Sequence, residues 1–453
     1  MKIIIAGDNL TAYSITSSLA QEQHDITLIG SDKSRLKHIE EVLDIQTVQG
    51  PYTEIETLDA AECDHADILI AATEIPETDI LISLLASNLY QVPLTIAMLQ
   101  ESLYEQRHHL LKDSALTTSH IWINPAELVA NSIIDLIQHP NCKDIFTIQN
   151  DYRILRLTWK NGQEAELDTE KLRKKLPDDS QIITVIRQKS PITNIDNTTL
   201  KTGDQLIIGC PKSSTEHVLN HFSTPMPIKS IMLAGISEIS QQLAKRLPSS
   251  THVKIIDNNL DKATTFARES DNITVLHGDI NDTDLLVTEK IDRTDAFLAL
   301  SNDDEDNLVA ALQAKRHRVP FIASLVHRSE IAPIINENHI HSIEPQKMLS
   351  NFIFQIIHRD IVNEKHAFHE DMGEIICITI PKHFDGHTLA KIAVPHGGRF
   401  FYAKRANDRM DPHPKLKLKQ GDILALYLAQ ARDVAVVTEQ LNRPSPSFFD
   451  LLR

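Results

Sequence analysis

The sequence predicts an α/β fold: two tandem copies of one unit, each a parallel-sheet domain followed by a small β-rich α+β domain. Three observations predict it: an internal repeat at a fixed offset, short apolar runs alternating with helical stretches, and one closing turn found in each half. In the repeat, Met1-Lys2-Ile3-Ile4-Ile5-Ala6-Gly7 lies over Lys229-Ser230-Ile231-Met232-Leu233-Ala234-Gly235, which sets the two glycines 228 residues apart. The same offset carries Gly50 onto Gly278 and Ala66-Asp67-Ile68-Leu69-Ile70-Ala71-Ala72-Thr73 onto Thr294-Asp295-Ala296-Phe297-Leu298-Ala299-Leu300-Ser301. Glu77-Thr78-Asp79 falls on Glu305-Asp306-Asn307. With the offset slipped to 218, Leu200-Lys201-Thr202-Gly203-Asp204 matches Leu418-Lys419-Gln420-Gly421-Asp422. Separated matches in register mark a duplication.

Within each half the elements follow in the same order. Apolar runs at 2–6, 25–29, 45–48, 68–72 and 94–99 read as strands, and so do 230–234, 253–256, 273–276, 296–300 and 321–325. Helical stretches separate them, which predicts βαβ units and a parallel sheet. Near-continuous apolarity fits strands buried on both faces. A longer amphipathic helix follows each sheet, over 125–137 after Asn124 and over 345–362 after Glu344, each with proline in its first turn. Beyond each helix the sequence turns to short strands and tight turns. The expected divisions are 1–123, a linking helix over 124–143, 144–225, 228–343, a second linking helix over 344–365, and 366–453.

Bulk properties narrow the function. A chain of 453 residues is too long for one core. No apolar run is long enough to span a bilayer, and the first strand is too short for a signal-peptide core, so the chain is expected in the cytoplasm. A net charge of −17 argues against nucleic acid and against anionic membrane surfaces, so membrane attachment would need a protein partner. Cys63, Cys142, Cys210 and Cys377 show no metal or disulfide spacing. His339-Ile340-His341, in a predicted strand, and His366-Ala367-Phe368-His369-Glu370 lack further ligands at a recognised spacing, so no metal site is expected. No nucleophile–base arrangement is evident, and no catalytic residue is assigned.

A strand that ends in glycine and opens into a helix is where a dinucleotide's pyrophosphate sits in Rossmann-like domains. Here the G-x-G-x-x-G pattern is eroded twice. The second half reads Gly235-Ile236-Ser237-Glu238-Ile239-Ser240, and the first reads Gly7-Asp8-Asn9-Leu10-Thr11-Ala12. Asp257 closes the next strand of the second half, where an acid hydrogen-bonds the adenosine ribose. Asp279, Ser301 and Asn302 follow the third and fourth strands, and Arg328 follows the fifth, where a guanidinium can grip a phosphate. The first half offers Gly7, Asn9 and Thr73, but Gly30 where the acid belongs and Gln100 opposite Arg328. The second crevice is therefore the expected binding site. The alternative, an Asp that only caps a helix and an Arg that is only solvated, stays open.

These stretches, together with Asn124-Pro125-Ala126-Glu127-Leu128-Val129-Ala130, Leu243-Ala244-Lys245-Arg246-Leu247, Arg359-Asp360-Ile361-Val362 and the ending Pro444-Ser445-Pro446-Ser447-Phe448-Phe449, carry a resemblance. The whole chain resembles the TrkA family, cytoplasmic regulatory subunits of bacterial Trk potassium-uptake systems, built from tandem domains that regulate conductance of potassium (RCK domains). The resemblance implies a non-enzymatic homo-oligomer on the inner face of the membrane. Its partner would be a membrane-embedded potassium translocator of the TrkH/TrkG kind, gated according to bound NAD(H), or ATP or ADP. It also implies nucleotide contacts at Gly235, Ser237, Ser240, Asp257, Asp279, Ser301, Asn302 and Arg328. Two other readings remain at this stage, an NAD-dependent oxidoreductase and a scaffold indifferent to ligand.

Overall fold

The computed structural model describes residues 1–20, 24–73, 75–99, 120–140, 142–159, 167–192, 195–196, 198–222, 228–269, 273–357, 362–368, 372–406, 408–430 and 432–442. The first half opens with a six-stranded parallel sheet: β1 (Lys2–Ala6), β2 (Asp25–Gly30), β3 (Gln46–Gln49), β4 (Ile68–Ala71), β5 (Leu94–Met98) and β6 (His120–Ile123). Their spatial order is β3-β2-β1-β4-β5-β6. Ile3, Ile4, Ile5 and Ala6 are fully buried, as both faces of the sheet are covered. The helices are α1 (Leu10–Ala20), α2 (Lys33–Val42), α3 (Ile55–Ala60), α4 (Pro76–Asn88) and the linking helix α5 (Pro125–Gln138). The start of α5 has a simple cause: Asn124 accepts the Glu127 N–H at 3.1 Å, and Pro125 needs no donor in the first turn.

A five-stranded antiparallel sheet follows, from β7 (Asp144–Ile148), β8 (Tyr152–Thr158), β9 (Gln181–Arg187), β10 (Ser190–Pro191) and β11 (Gln205–Pro211), with α6 (Thr169–Lys175) and α7 (Thr215–Asn220). The second half repeats the plan. Its parallel strands are β12 (Ser230–Ala234), β13 (His252–Asp257), β14 (Ile273–His277), β15 (Ala296–Ala299), β16 (Phe321–Leu325) and β17 (His341–Ile343), in the order β14-β13-β12-β15-β16-β17. Its helices are α8 (Glu238–Arg246), α9 (Leu260–Glu269), α10 (Thr283–Thr288), α11 (Asp304–Arg316), α12 (Ala332–Glu337) and the linking helix α13 (Pro345–Ile357). The last sheet, β18-β19-β22-β20-β21, uses β18 (Val362–Ala367), β19 (Glu374–Thr379), β20 (Arg399–Arg405), β21 (Asp408–Met410) and β22 (Ile423–Leu428), before α14 (Asp433–Asn442).

Two differences from the sequence reading stand out. Each parallel sheet has a sixth strand: β6 is not among the strands read from the sequence, and β17 covers His341–Ile343 where the sequence predicts a strand over 339–341. The second linking helix is described to Ile357 and does not include Val362: residues 362–367 form β18, paired antiparallel with β19. The antiparallel sheet therefore begins inside the 344–365 stretch expected to be helix. Val362 is buried because it sits in that sheet's core rather than on a helix face.

The recurring Leu-Lys-x-Gly-Asp turn also has a physical cause. Arg187 grips Asp204 through both guanidinium arms, Nε to Oδ1 at 2.8 Å and Nη2 to Oδ2 at 2.7 Å, and the Lys201 N–H donates to the same carboxylate at 2.8 Å. Arg405 grips Asp422 identically, at 2.8 and 2.7 Å, with the Lys419 N–H at 2.8 Å. Gly203 and Gly421, both at positive φ, let the chain turn onto these acids.

The two halves exchange their linking helices. Leu349 and Ile353 of α13 are buried in one core with Ile3, Ile5, Ala12 and Ile15 of the first half, and α13 packs along α1. Reciprocally, Val129, Ala130 and Ile133 of α5 share a core with Ile231, Leu233 and Leu243 of the second half, and α5 packs along α8. An ion pair between Glu127 and Arg246 closes that contact. Each buried Leu or Ile stabilises by roughly 1.5–3 kcal/mol, so neither half is self-contained. The antiparallel sheets also meet, with the Tyr152 and Tyr402 rings 5.1 Å apart and the Arg409 guanidinium over the Tyr152 ring.

Candidate nucleotide-binding site

In each parallel sheet the strand order reverses around the first strand, and crevices at such points, beyond the carboxyl ends of the strands, take ligands in open α/β folds. In the second half this is the junction of β12 with β13 and β15. Gly235 follows β12 at φ +98°, and a Cβ there would lie 2.7 Å from the Ser301 backbone. Only glycine satisfies both the backbone angle and that approach. Gly235, Asp257 and Ser301 are thus brought together at three adjacent strand ends.

The loop is tightly built. Ser237 caps α8 in a reciprocal box: its N–H donates to the Ser240 hydroxyl at 2.8 Å, and the Ser240 N–H donates back to the Ser237 hydroxyl at 3.3 Å. Both serines are buried. They fix the first turn of α8 rather than standing free for a ligand. Ile236 is buried, Ile239 is packed against the core, and Glu238 is exposed at the first position of α8.

Asp257 is at once the sequence-expected acid and a structural element. Its Oδ2 accepts the Ile236 N–H at 2.6 Å and its Oδ1 accepts the Asn259 N–H at 2.8 Å. The carboxylate therefore ties the glycine loop to the end of β13. Asp279 is exposed and accepts the Asn281 N–H at 2.8 Å, and Asn302 is exposed beside Ser301. The Ser301 N–H donates to Asn307 Oδ1 at 2.9 Å.

Arg328 is exposed but not open-handed. Its Nη2 pairs with Glu305, its Nε lies 3.6 Å from Asp304, and its N–H donates to Asp304 at 2.9 Å. A phosphate drawn to Arg328 would compete with these two acids. The sequence reading missed Asp304, which also accepts from the His327 N–H and ring at 2.9 Å each. Burial would raise the Asp304 carboxyl, but the hydrogen bonds from His327 and Arg328 outweigh it and hold it below the usual carboxylate range. The signal was present as the acid inside Ser301–Asp306 that begins α11.

The first crevice keeps the loop glycine and differs beyond it. Gly7 keeps its place, and a Cβ there would lie 2.4 Å from the Ala72 carbonyl. Asn9 is a helix cap: its Oδ1 accepts the Ala12 N–H at 2.9 Å, and its Nδ2 donates to the Ala72 carbonyl at 2.8 Å. Thr73 is buried, and its hydroxyl and N–H both donate to Asp79, at 2.6 and 2.9 Å. Gln100 lies outside the described residues, as do His369, Glu370, residues 359–361 and the ending from 444 to 449. The ring of His341, of the other histidine pair, lies tilted against Phe321 at the sheet edge, 4.9 Å between ring centroids.

Comparison with known proteins decides the family. The TrkA-N domain matches residues 3–117 and again 231–344, half of the chain. The chain belongs to the TrkA-N family. Among relatives of this TrkA-N chain, the Trk system potassium uptake protein TrkA of Vibrio alginolyticus is 28% identical over 99% of this chain and 100% of its own length. The protein of the same name from Halomonas elongata is 27% identical over the same shares. A TrkA homolog from Archaeoglobus fulgidus is 23% identical over 94% and 97%. Two solved structures, the GsuK RCK domain and the GsuK channel bound to NAD, each match with a TM-score of 0.61. They are 17% and 18% identical, cover 97% of this chain, and are themselves covered over 94% and 78%. These likenesses show that both halves of the TrkA-N chain have the RCK fold.

Proposed function

We propose that this chain is the nucleotide-binding regulatory subunit of a Trk-type potassium uptake transporter, working from the cytoplasmic face on a membrane-embedded potassium translocator and assembling with copies of itself. Among the described residues no helix is long and apolar enough to cross a membrane, which fits a subunit that attaches through a protein partner. The relatives' names support the potassium role, and the name of the NAD-bound channel supports NAD(H) as the ligand, with ATP or ADP as the other candidates.

One observation carries the regulatory reading. Helix α8 grows directly out of the Gly235 loop and is the surface on which the exchanged helix α5 packs. A pyrophosphate at the amino end of α8 would bear on a helix that belongs to the first half. Only a ligand that binds two arrangements unequally shifts their balance. Displacing α8 against α5, through Arg246 and Glu127, is the route by which binding would change the relation between halves.

In this reading Gly235, Ile236 and Asp257 form the ribose and pyrophosphate cradle, Ser237 and Ser240 hold it rigid, and Arg328 changes partner from Glu305 to phosphate. Asp279, Ser301 and Asn302 form the rim. The test is calorimetric titration of NADH, NAD, ATP and ADP into the purified chain and into Asp257→Asn and Arg328→Gln. Binding is expected in the unmodified chain, with at least tenfold loss in Asp257→Asn. Undiminished binding in both variants would show that the ligand sits elsewhere. An oxidoreductase would need a proton-transfer group beside a nicotinamide. Turnover of NADH with a broad carbonyl panel would replace the regulatory reading.

A further inference from the structure

The two crevices have traded the position of one carboxylate. Gly7 and Gly235 stand in the same register: each donates its N–H to the penultimate residue of the neighbouring strand, Ile29 at 2.9 Å and Ile256 at 2.8 Å. The next residue along is Gly30 in the first crevice and Asp257 in the second. The residue after the loop glycine is Asp8 in the first and Ile236 in the second. In the second crevice the acid reaches from strand to loop. In the first it reaches from loop to strand: Asp8 Oδ2 accepts the Ser31 N–H and the Asp32 N–H, each at 2.8 Å, and the Ser31 hydroxyl at 3.0 Å. Arg35 adds a weak contact from Nη1 to the Asp8 carbonyl at 3.4 Å.

A third position differs in step with these two. A Cβ on Gly30 would lie 2.7 Å from Leu36 Cδ2 and 3.0 Å from the Asp8 Cβ. Helices α2 and α9 both have ten residues and both begin three residues past their strand, so Leu36 corresponds to Ala263. The second crevice has an acid at the strand end and an alanine that leaves it room. The first has glycine there, filled by Leu36 and by the Asp8 stem.

We propose that Asp8 is a built-in anion that closes the first crevice to the adenosine ribose, with Gly30 and Leu36 completing the closure, so that the chain has one open dinucleotide site rather than two. The strand-end amides of Ser31 and Asp32 are satisfied by a carboxylate that reaches across from the loop, whereas in the second crevice the acid comes from the strand itself. Burial would raise the Asp8 carboxyl, but the Asp32 N–H, Ser31 and the Tyr52 hydroxyl outweigh it and keep it below the usual carboxylate range. The internal ligand is therefore charged at neutral pH, and it repels a phosphate as well as occupying the Ser31 and Asp32 amides. No carboxylate remains at Gly30 to receive the ribose hydroxyls.

This inference refines the proposed function, and its test separates the two. The second crevice is read by NADH titration of the unmodified chain, and the first by the same titration of Asp8→Ile/Gly30→Asp/Leu36→Ala, which copies Ile236, Asp257 and Ala263. One equivalent per chain is expected for the unmodified protein and two for the triple variant. The triple variant combined with Asp257→Asn should keep one. A folded triple variant that stays at one equivalent would overturn the closure, whereas an unmodified chain that binds nothing would overturn the second-crevice assignment alone. Should the triple variant not fold, hydrogen exchange of the unmodified protein under saturating NADH still decides: protection is expected at 235–240, and protection at 7–12 and 30–36 would show the first crevice open.

Discussion

The hydroxyls of Ser14 and Ser350 lie 3.2 Å apart although 336 residues separate them in the chain. Ser14 is on α1, which leaves the first glycine loop, and Ser350 is on α13, which ends the second parallel sheet. Their contact is one point in an exchange whose other side is α5 lying on α8. Each glycine loop thus opens into a helix whose packing partner comes from the opposite half.

The exchange makes a stability prediction. Ile353 is fully buried, yet its neighbours Ile3, Ile5 and Ile15 belong to the first half. Ile353→Ala removes that packing and leaves a cavity, at a cost of roughly 2–5 kcal/mol. The loss should appear in the first parallel sheet: amides of α1 should exchange faster, measured by hydrogen–deuterium exchange, while α11, remote from this core, keeps its rate. If α11 alone responded, the linking helices would not be exchanged in solution.

The Arg–Asp turn locks make a second prediction. Asp204 and Asp422 are almost wholly buried at 2% and 1% exposure, each held by an arginine and a backbone N–H. Replacing either by Asn keeps the shape but removes a charge-assisted pair. A cost of roughly 1–3 kcal/mol is expected for each, because the arginines retain partial access to water. Urea denaturation of Asp204→Asn and Asp422→Asn should show similar losses, as the two environments are nearly the same. A loss in one and none in the other would mean that the duplicated turn does different work in the two halves.

The duplication and both parallel sheets were legible in the sequence because buried strands leave continuous apolar runs. The turn lock was legible in part. Asp204 and Asp422 were visible in a repeated motif, while Arg187 and Arg405, at the same 218-residue offset, were not recognised as their partners. The helix exchange could not be read. The apolar faces of α5 and α13 say that each must be buried, not in which half. Asp257 was legible as a strand-end acid, but its grip on Ile236 depends on loop geometry. The role of Asp8 could not be read, since nothing in Gly7-Asp8-Asn9 shows the side chain turning back onto Ser31. Arg328 carries a charge whose partners, Asp304 and Glu305, are fixed only once α11 and β16 lie side by side.

Asp79 gives a pH prediction. It occupies the position of Asn307, which donates from Nδ2 to the Ser301 carbonyl at 2.9 Å and accepts the Ser301 N–H at 2.9 Å. Asp79 accepts from Thr73 in the same way through Oδ1. Burial pushes its carboxyl up from 3.8 to about 7, with the Thr73 hydroxyl and N–H holding it partly down. A group whose folded value is raised binds its proton more tightly in the native state. Its contribution is full below about pH 4 and is lost as pH rises towards 7, so stability falls across that window. At about 1.4 kcal/mol per unit, a rise of about three units makes the loss by pH 8 roughly 4 kcal/mol. Asp8 and Asp304, whose carboxyls are lowered, act in the opposite sense, losing their contribution only as pH falls below the usual carboxylate range. Asp79→Asn copies the second half and supplies a neutral donor where the acid needs a proton. Urea melts of the two proteins should nearly coincide at pH 4 and separate progressively up to about pH 7, with the variant the more stable. A difference that stays constant from pH 5 to 8 would show that Asp79 titrates as an ordinary carboxylate and that its burial is relieved in solution.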